Sequence, residues 1–383
     1  MSPKVKFPRV RLPQSNWARA LVGVLSLSLV AGLIYAGTTI YTLAQADSQV
    51  HRIESAFPVE SLRPSAADDE DGNGTNFLLL GVDSNGNVGK TQDEIKGVRA
   101  DSIMVAHISH DGSYLTMISI VRDTWIDDIP GIGGQRINAA MSLGGISTMV
   151  ATVEQLLKTR IDHVAIIDFD GLKRAIDQLG GVTVCNDEYF TYSIYPHYVF
   201  EPGLITLGGK EALAYSRERK HITRGDFQRA EHQRAVVLSL FHKVMSSGVL
   251  KKPLQAAQLY ESVSKYLSLD PGIDFNYALS TAKLLTNLAD VDGISTFTLM
   301  ISGGGINEYG MSVVYLDEQK LAKVQERLAA DTIHEFKKDD ESPSPTPSDT
   351  RSSTASPSAS KSPTSTPTES ASPSNTLGCE LIP

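Results

Sequence analysis

The chain has 383 residues and a formal net charge of −9, with 35 Lys and Arg against 44 Asp and Glu. An acidic balance of this size excludes a protein-wide nucleic-acid footprint, and two cysteines, Cys185 and Cys379, are too few for a disulfide framework and lack the Cys-x-x-Cys spacing of a metal site. The length suits one large domain or two small ones once non-globular ends are set aside.

Taken in chain order, residues 1–19 carry Lys4, Lys6, Arg9, Arg11 and Arg19 and no acid, and no charge follows from Ala20 to Ala46. Roughly 20 apolar residues cross a bilayer, so 20–43 is expected to be a transmembrane helix, the alternative being a cleaved signal peptide, whose apolar run is usually only about 7–15 residues. The basic flank puts the N-terminus in the cytoplasm and all later residues outside it. Residues 44–75 read as an extracytoplasmic linker, in which the acidic SAADDEDGNG (65–74) is a solvated tether. The Ser/Thr/Pro-rich composition of 338–383 cannot bury enough apolar surface to offset its ordering entropy, which predicts a disordered tail. Residues 76–337 remain as the folded domain.

Within it, NFLLLGV (76–82), SIMVAHIS (102–109) and YLTMISI (114–120) have strand length and composition, the last two joined by a tight hairpin with Asp111-Gly112 at its tip. ISTMVATVEQLLKT (146–159) has helical spacing, HVAIIDF (163–169) reads as a buried strand, and GLKRAIDQL (171–179) as a helix ending at Gly180-Gly181. Strands alternating with helices, plus a hairpin, predict an α/β fold with a mixed central β-sheet flanked by helices.

Arginine is concentrated in AYSRERKHITRGDFQRAEHQR (214–234). KEALAYSRER is expected to pass from a helical turn into an extended run, placing Arg217 and Arg219 on one face. Asp226 can cap the next helix, with Asp226, Arg229 and Gln233 on one stripe and Ala235, Leu238, Phe241 and Met245 on an apolar face. Arginines gathered beside a helix N-terminus suit a ligand with adjacent phosphates, since a guanidinium chelates phosphate oxygens as a fork; the plain alternative is a solvated charged face. Upstream, Asp83, Arg99 with Asp101, and Arg122 with Asp123 fall at strand ends, where open α/β sheets bind ligands. Two carboxylates near a pyrophosphate are what a hard divalent cation needs, although Asp is also a common turn-former.

NFLLLGVDS, VRADS, MISIVRDT, RINAA, HVAIIDFDGLKRAIDQLGGVTV, GKEALAYSRER and RGDFQRAEHQ, in this order over about residues 76–248, resemble the LytR-CpsA-Psr (LCP) family of cell-wall glycopolymer transferases. The resemblance implies an LCP-like α-β-α catalytic domain, membrane-tethered and extracytoplasmic. Its implied activity moves a glycopolymer, teichoic acid for example, from a polyprenyl-pyrophosphate carrier onto a peptidoglycan hydroxyl through a phosphodiester. It implies that Asp83 and Asp101 associate with Mg²⁺ (or Mn²⁺), that Arg99, Arg122, Arg217, Arg219 and Arg229 hold the pyrophosphate, and that Asp226 and Gln233 complete the polar site. Asp226 or Asp123 could accept the acceptor's proton. The family pattern is altered at Ala100, Ser102, Val121, Arg136 and His232, the last standing where an arginine is common. Cys185 has no partner between Pro202 and Leu207 and is expected to be a small buried residue, with pairing to Cys379 left open as the alternative. A lipid groove is sought between the sheet and helix 226–248, where Val236, Leu240 and Val244 read as core. A pyrophosphatase on the same substrate and a non-catalytic lipid-glycan binding or regulatory protein are the alternative functions.

Overall fold

The computed structural model describes residues 16–65, 74–83, 97–285, 288 and 293–336; before residue 31, the only side chain described is that of Ser28. The expected tail, the 84–96 loop and most of the 65–74 tether lie outside the described residues.

In chain order the elements are α1 (Asn16–Gln49), β1 (His51–Arg52), β2 (Thr75–Val82), β3 (Ala100–Ile108), β4 (Leu115–Ile120), β5 (Trp125–Ile129), β6 (Gly133–Arg136), α2 (Asn138–Leu157), β7 (His163–Asp168) and α3 (Phe169–Gln178). There follow β8 (Val182–Asn186), β9 (Phe190–Thr191), β10 (Val199–Phe200), β11 (Gly203–Leu207), α4 (Gly209–Arg217), α5 (Gly225–Ser246), α6 (Pro253–Ser264), β12 (Leu267–Leu269), α7 (Phe275–Leu285), β13 (Ile294–Thr298), β14 (Ile301–Ile306), β15 (Ser312–Leu316) and α8 (Glu318–Ala329).

Seven strands form the central sheet in the order β1-β12-β7-β2-β3-β4-β13. β2, β3 and β4 are mutually antiparallel, β7 runs parallel to β2, and β13 parallel to β4, so the sheet is mixed as the sequence predicts. Alternation along β3 explains its two buried faces. Ile103 and Val105 face a core built with Met149 and Val153 of α2 and Val324 of α8. Met104 and Ala106 face the other side, against Leu238 of α5 and Leu285 of α7. A further cluster joins Ile176 of α3, Tyr215 of α4 and Val236 of α5 to Val184 of β8.

Helix α1 includes the expected transmembrane segment, but among the described residues no helix is long and apolar enough to cross a membrane. Side chains 20–27, 29 and 30, which supply much of the apolar run, lie outside the described residues. The far end of α1 is fastened to the domain: Tyr260 of α6 donates to Asp47 at 3.1 Å, and β1 pairs in parallel with β12. Residues counted with the linker are also docked, with Ile53 and Ala56 buried in the main core. Arg63 meets the buried Glu154 at 2.7 Å.

Helix α2 begins earlier than the 146–159 periodicity predicts because it continues through a kink at Gly145, whose φ of 82° lies in the left-handed region that glycine tolerates. Helix α3 likewise begins at Phe169, capped by Asp168, whose side chain accepts from the Asp170 amide at 2.8 Å. Cys185 is half-buried and disulfide-bonded, so the simple small buried residue favoured from sequence gives way to the paired state that the sequence left open; Cys379 lies outside the described residues.

Candidate functional site

Antiparallel pairing of β2, β3 and β4, with β7 parallel to β2, brings four chain segments to one end of the sheet: the end of β2 at Asp83, the start of β3 at Asp101, the end of β4 at Arg122 and Asp123, and the end of β7 before Phe169. Pairing slips between Gly81 and Val82, which face Ser102 and Ala100, so Asp101 occupies the bulge. A bulge redirects a side chain and is frequent beside functional sites. Gly81 permits the close approach: a Cβ there would lie 2.9 Å from Cβ of Ser102 and 3.2 Å from the Phe169 ring.

Arginines arrive from the helices. Arg217 ends α4 and pairs with Asp83, its guanidinium 5.0 Å above the Phe169 ring. Arg219 follows after one extended residue, Glu218. The expected strand does not form: residues 218–224 are an irregular turn, and Arg217 and Arg219 reach neighbouring aspartates from a helix end and a loop. Arg219 Nε lies 2.6 Å from Asp226 Oδ1, and its Nη2 is 2.9 Å from Asp226 Oδ2 and 3.6 Å from Asp123 Oδ2. Arg229, one helical turn beyond Asp226, sits 3.2 Å from the same carboxylate. Asp226 lies in the first turn of α5, where Arg224 is the N-cap residue, so its side chain serves the arginines instead of capping.

Arg122 pairs with Asp101, and its Nε is 3.9 Å from Asp123. Gln233 donates to the Asp101 and Ser216 carbonyls, each at 3.3 Å. Of the nine residues expected to bind the pyrophosphate or metal or to complete the polar site, eight are thereby joined, directly or through the candidate base Asp123, in two adjacent sets: Asp83 with Arg217, and Asp101, Arg122, Asp226, Arg219, Arg229 and Gln233. Arg99 is exposed just before β3 and has no ion pair among the described residues.

Two further members complete the site, Asp123, expected from sequence as a candidate base, and Arg136, which was not. Asp123, only 7 % exposed, is the hub among Arg122, Arg136 and Arg219. Arg136 reaches it at 3.3 Å from β6, which the backbone bonds from Ile137 N to Thr124 O and from Asn138 N to Arg122 O hold beside β4. The basic residue in Arg136-Ile137-Asn138 was its only sequence signal.

Electrostatics follow from burial and crowding. Burial and the neighbouring Asp226 raise the Asp123 carboxyl to about 6, against the pull of Arg122 and Arg136. Burial also pushes Asp226 up, but its hydrogen bond with Asp123 and the Arg229, Arg219 and Arg122 charges hold it below the usual range. The two carboxyls behave as a pair that shares a proton in acid. Burial, with Arg122 and Arg219 nearby, brings Arg229 down to about 10 despite Asp226. Nε of Arg122 and Nε of Arg229 are buried without a hydrogen-bond partner. Orphaned guanidinium donors in a site with five arginines and four aspartates point to an anion as the missing partner.

Whether the site suits a divalent cation can be judged from its donors. Among the described residues no group of three or more His, Cys, Asp or Glu could hold a metal by itself. Asp83 and Asp101 end adjacent paired strands and offer hard oxygen ligands, each now neutralised by an arginine. That set fits an ion such as Mg²⁺, which takes one or two carboxylates and completes its shell with phosphates and water.

The enzyme named polyisoprenyl-teichoic acid–peptidoglycan teichoic acid transferase TagU of Enterococcus faecalis is 32% identical to the chain over 252 residues, 66% of this chain and 77% of that protein. The cell wall biosynthesis protein LcpA of Corynebacterium glutamicum is 31% identical over 326 residues, 73% of this chain and 61% of that protein. The crystal structure of B. subtilis TagV superposes with a TM-score of 0.58 at 28% identity, covering 71% of this chain and 99% of that one. The LytR_cpsA_psr family profile matches residues 37–330, and the chain belongs to that family.

Proposed function

We propose that the chain is a cell-wall glycopolymer transferase that moves its cargo from a polyprenyl-pyrophosphate carrier onto a peptidoglycan hydroxyl, anchored to the membrane through residues 20–43 with the catalytic domain outside. The observation that carries this reading is the crowd of arginines with orphaned Nε donors at the sheet end. A pyrophosphate supplies the acceptors they lack, and its charge offsets their excess.

In the reaction a sugar hydroxyl of peptidoglycan attacks the phosphorus that bears the glycan. The bond from that phosphorus to the bridging oxygen breaks, and polyprenyl phosphate leaves. Arg122, Arg217, Arg219 and Arg229 exchange their aspartate partners for phosphate oxygens and stabilise the charge that builds there. The Asp123–Asp226 pair takes the hydroxyl proton. Asp83 and Asp101 would hold Mg²⁺, which supplies Lewis-acid polarisation of the phosphates. The lipid tail runs under α5, where Leu238 and the half-buried Val237 and Phe241 face Met104 and Met117 of the sheet; Val236 lies in a separate core cluster.

The test incubates the full chain with Mg²⁺, a polyprenyl-pyrophosphate-linked oligosaccharide and a short peptidoglycan acceptor, beside Arg217→Ala and Asp101→Ala. A phosphodiester-linked conjugate made by the native chain and by neither variant supports the reading. Release of lipid phosphate with no conjugate would replace it with hydrolysis, and tight binding without turnover with a holding role.

A further inference from the structure

Between the two arginines that close the site, Glu218 is fully buried, yet among the described residues it pairs with no arginine. Its carboxylate is filled by main-chain amides instead. Oε1 accepts from Arg219 at 2.9 Å, Lys220 at 2.7 Å and His221 at 3.2 Å, and Oε2 accepts from Ser193 at 2.5 Å. Burial raises this carboxyl, but the amide bonds from Lys220, Ser193, Arg219 and His221 outweigh it and hold the group below the usual glutamate range.

The turn at 218–224 has no helix or strand of its own to satisfy its amides, so the carboxylate supplies the fixed centre that such a segment otherwise lacks. Arg219 is itself one of the donors, so any movement of the carboxylate is transmitted to the side chain that spans Asp123 and Asp226. Ser193, the fourth donor, lies between β9 and β10. Thr191 of β9 also holds the turn, its carbonyl 2.9 Å from His221 Nδ1, and Glu188, just before β9, accepts from the Thr223 amide of the turn at 2.9 Å and from Gln228 Nε2 of α5 at 2.8 Å.

We propose that Glu218 is a positioning residue for the reaction: it fixes the 218–224 turn in the conformation that brings Arg219 onto the Asp123–Asp226 pair, and clamps the Phe190–Phe200 segment against that turn. The role rests on the pyrophosphate reading of the site. Glutamine is the informative replacement, because one oxygen can still receive the three consecutive amides while its NH₂ opposes the Ser193 donor and the charge is lost.

The experiment is a double-mutant cycle on the full chain with Mg²⁺, in which a short isoprenyl pyrophosphate is titrated into the native protein, Glu218→Gln, Arg219→Ala and the double variant. Expected is a loss of about tenfold in affinity for Glu218→Gln alone, and little or no further loss when it is added to Arg219→Ala, because both changes remove the same contact. Additive losses would overturn the proposal, since a merely structural glutamate weakens both backgrounds alike; native affinity in Glu218→Gln would overturn it too. Should that variant fail to fold, the same cycle is run with Glu218→Asp, which keeps the charge but falls a methylene short of the four amides. No binding by the native chain would sink the pyrophosphate reading, and this role with it, whereas native binding with additive losses would sink the role alone.

Discussion

The two ends of the central sheet hold carboxylates in opposite ways. At the end away from the arginine cluster, although Arg63 holds Glu154 there, three aspartates are filled chiefly by main-chain amides. Asp331 accepts from Gly74 and His110 as well as from His107, Asp162 from Asn76, and Asp270 from Val164 and Gly272. At the other end Asp83, Asp101, Asp123 and Asp226 are held by arginines, with the Nε groups of Arg122, Arg136 and Arg229 left over. Amides are fixed in the backbone, so a carboxylate they bind is part of the fold. Guanidinium groups on long side chains can release one anion for another, so a carboxylate they bind keeps a place for a ligand. Glu218 is the exception at the arginine end, and the amides around it mark it as a part of the frame.

The largest effect expected from this contrast is on Arg219. Replacing it with alanine should lower transfer about a thousandfold, within the range an arginine at a phosphoryl-transfer site provides, while the thermal midpoint moves by only a few degrees. A collapse of stability in step with activity would make the arginine end as structural as the other. Next in size is an acid effect at His232, which stacks 4.1 Å from the Tyr215 ring and whose Nε2 is buried without a partner. Burial pushes its pKa down to about 4, below the ordinary imidazole value of about 6.5. The unfolded chain therefore takes up this proton first, and stability present above that ordinary value is lost as pH falls toward 4, by on the order of 3 kcal/mol. Urea midpoints at pH 7.5 and 4.5 should diverge strongly in the native chain and much less in His232→Phe.

How far the sequence reveals each end differs for the same reason. Arg217, Arg219 and Arg229 are visible because arginine crowded into an acidic chain is conspicuous, and the apolar runs of β2, β3, β4 and β7 disclose the mixed sheet through their length and composition. The local geometry is harder to read. Arg217 and Arg219 are two apart, a spacing that suits a strand, but α4 continues to Arg217 because Ala212 and Tyr215 pack into a core that no local pattern displays. Asp226 resembles a helix cap until Arg219 and Arg229 claim it. Asp123 and Arg136 stand 13 residues apart, and only the β5–β6 hairpin brings them to 3.3 Å. Asp331 is 224 residues from His107, a separation that no periodicity spans.

A smaller effect is expected at the amide-bound end. Asp331 has a φ of 54°, which asparagine also adopts readily, so Asp331→Asn isolates the loss of the carboxylate. One of its oxygens becomes an NH₂ facing a donor, at a cost of about 1–3 kcal/mol in unfolding free energy. The transfer rate of the folded protein should stay at the native value; a matching fall in rate would show that the two ends are coupled and remove the contrast between them.

The smallest effect tests whether the arginine-bound pair does chemistry as well as hold charge. Asp123 is raised to about 6 by burial and by Asp226, so as pH falls through that value the pair gains a proton and loses its capacity to accept another. Transfer should then drop about tenfold for each pH unit below about 6, with the apparent value belonging to both carboxyls together. Asp123→Asn leaves Asp226 with its arginines and without its acidic neighbour, so the limb should move to lower pH as the maximal rate falls. Asp331→Asn, at the far end, should leave the limb in place. If neither variant moves it, the acceptor's proton goes elsewhere, and the Asp123–Asp226 pair acts only as a counter-charge that the substrate displaces.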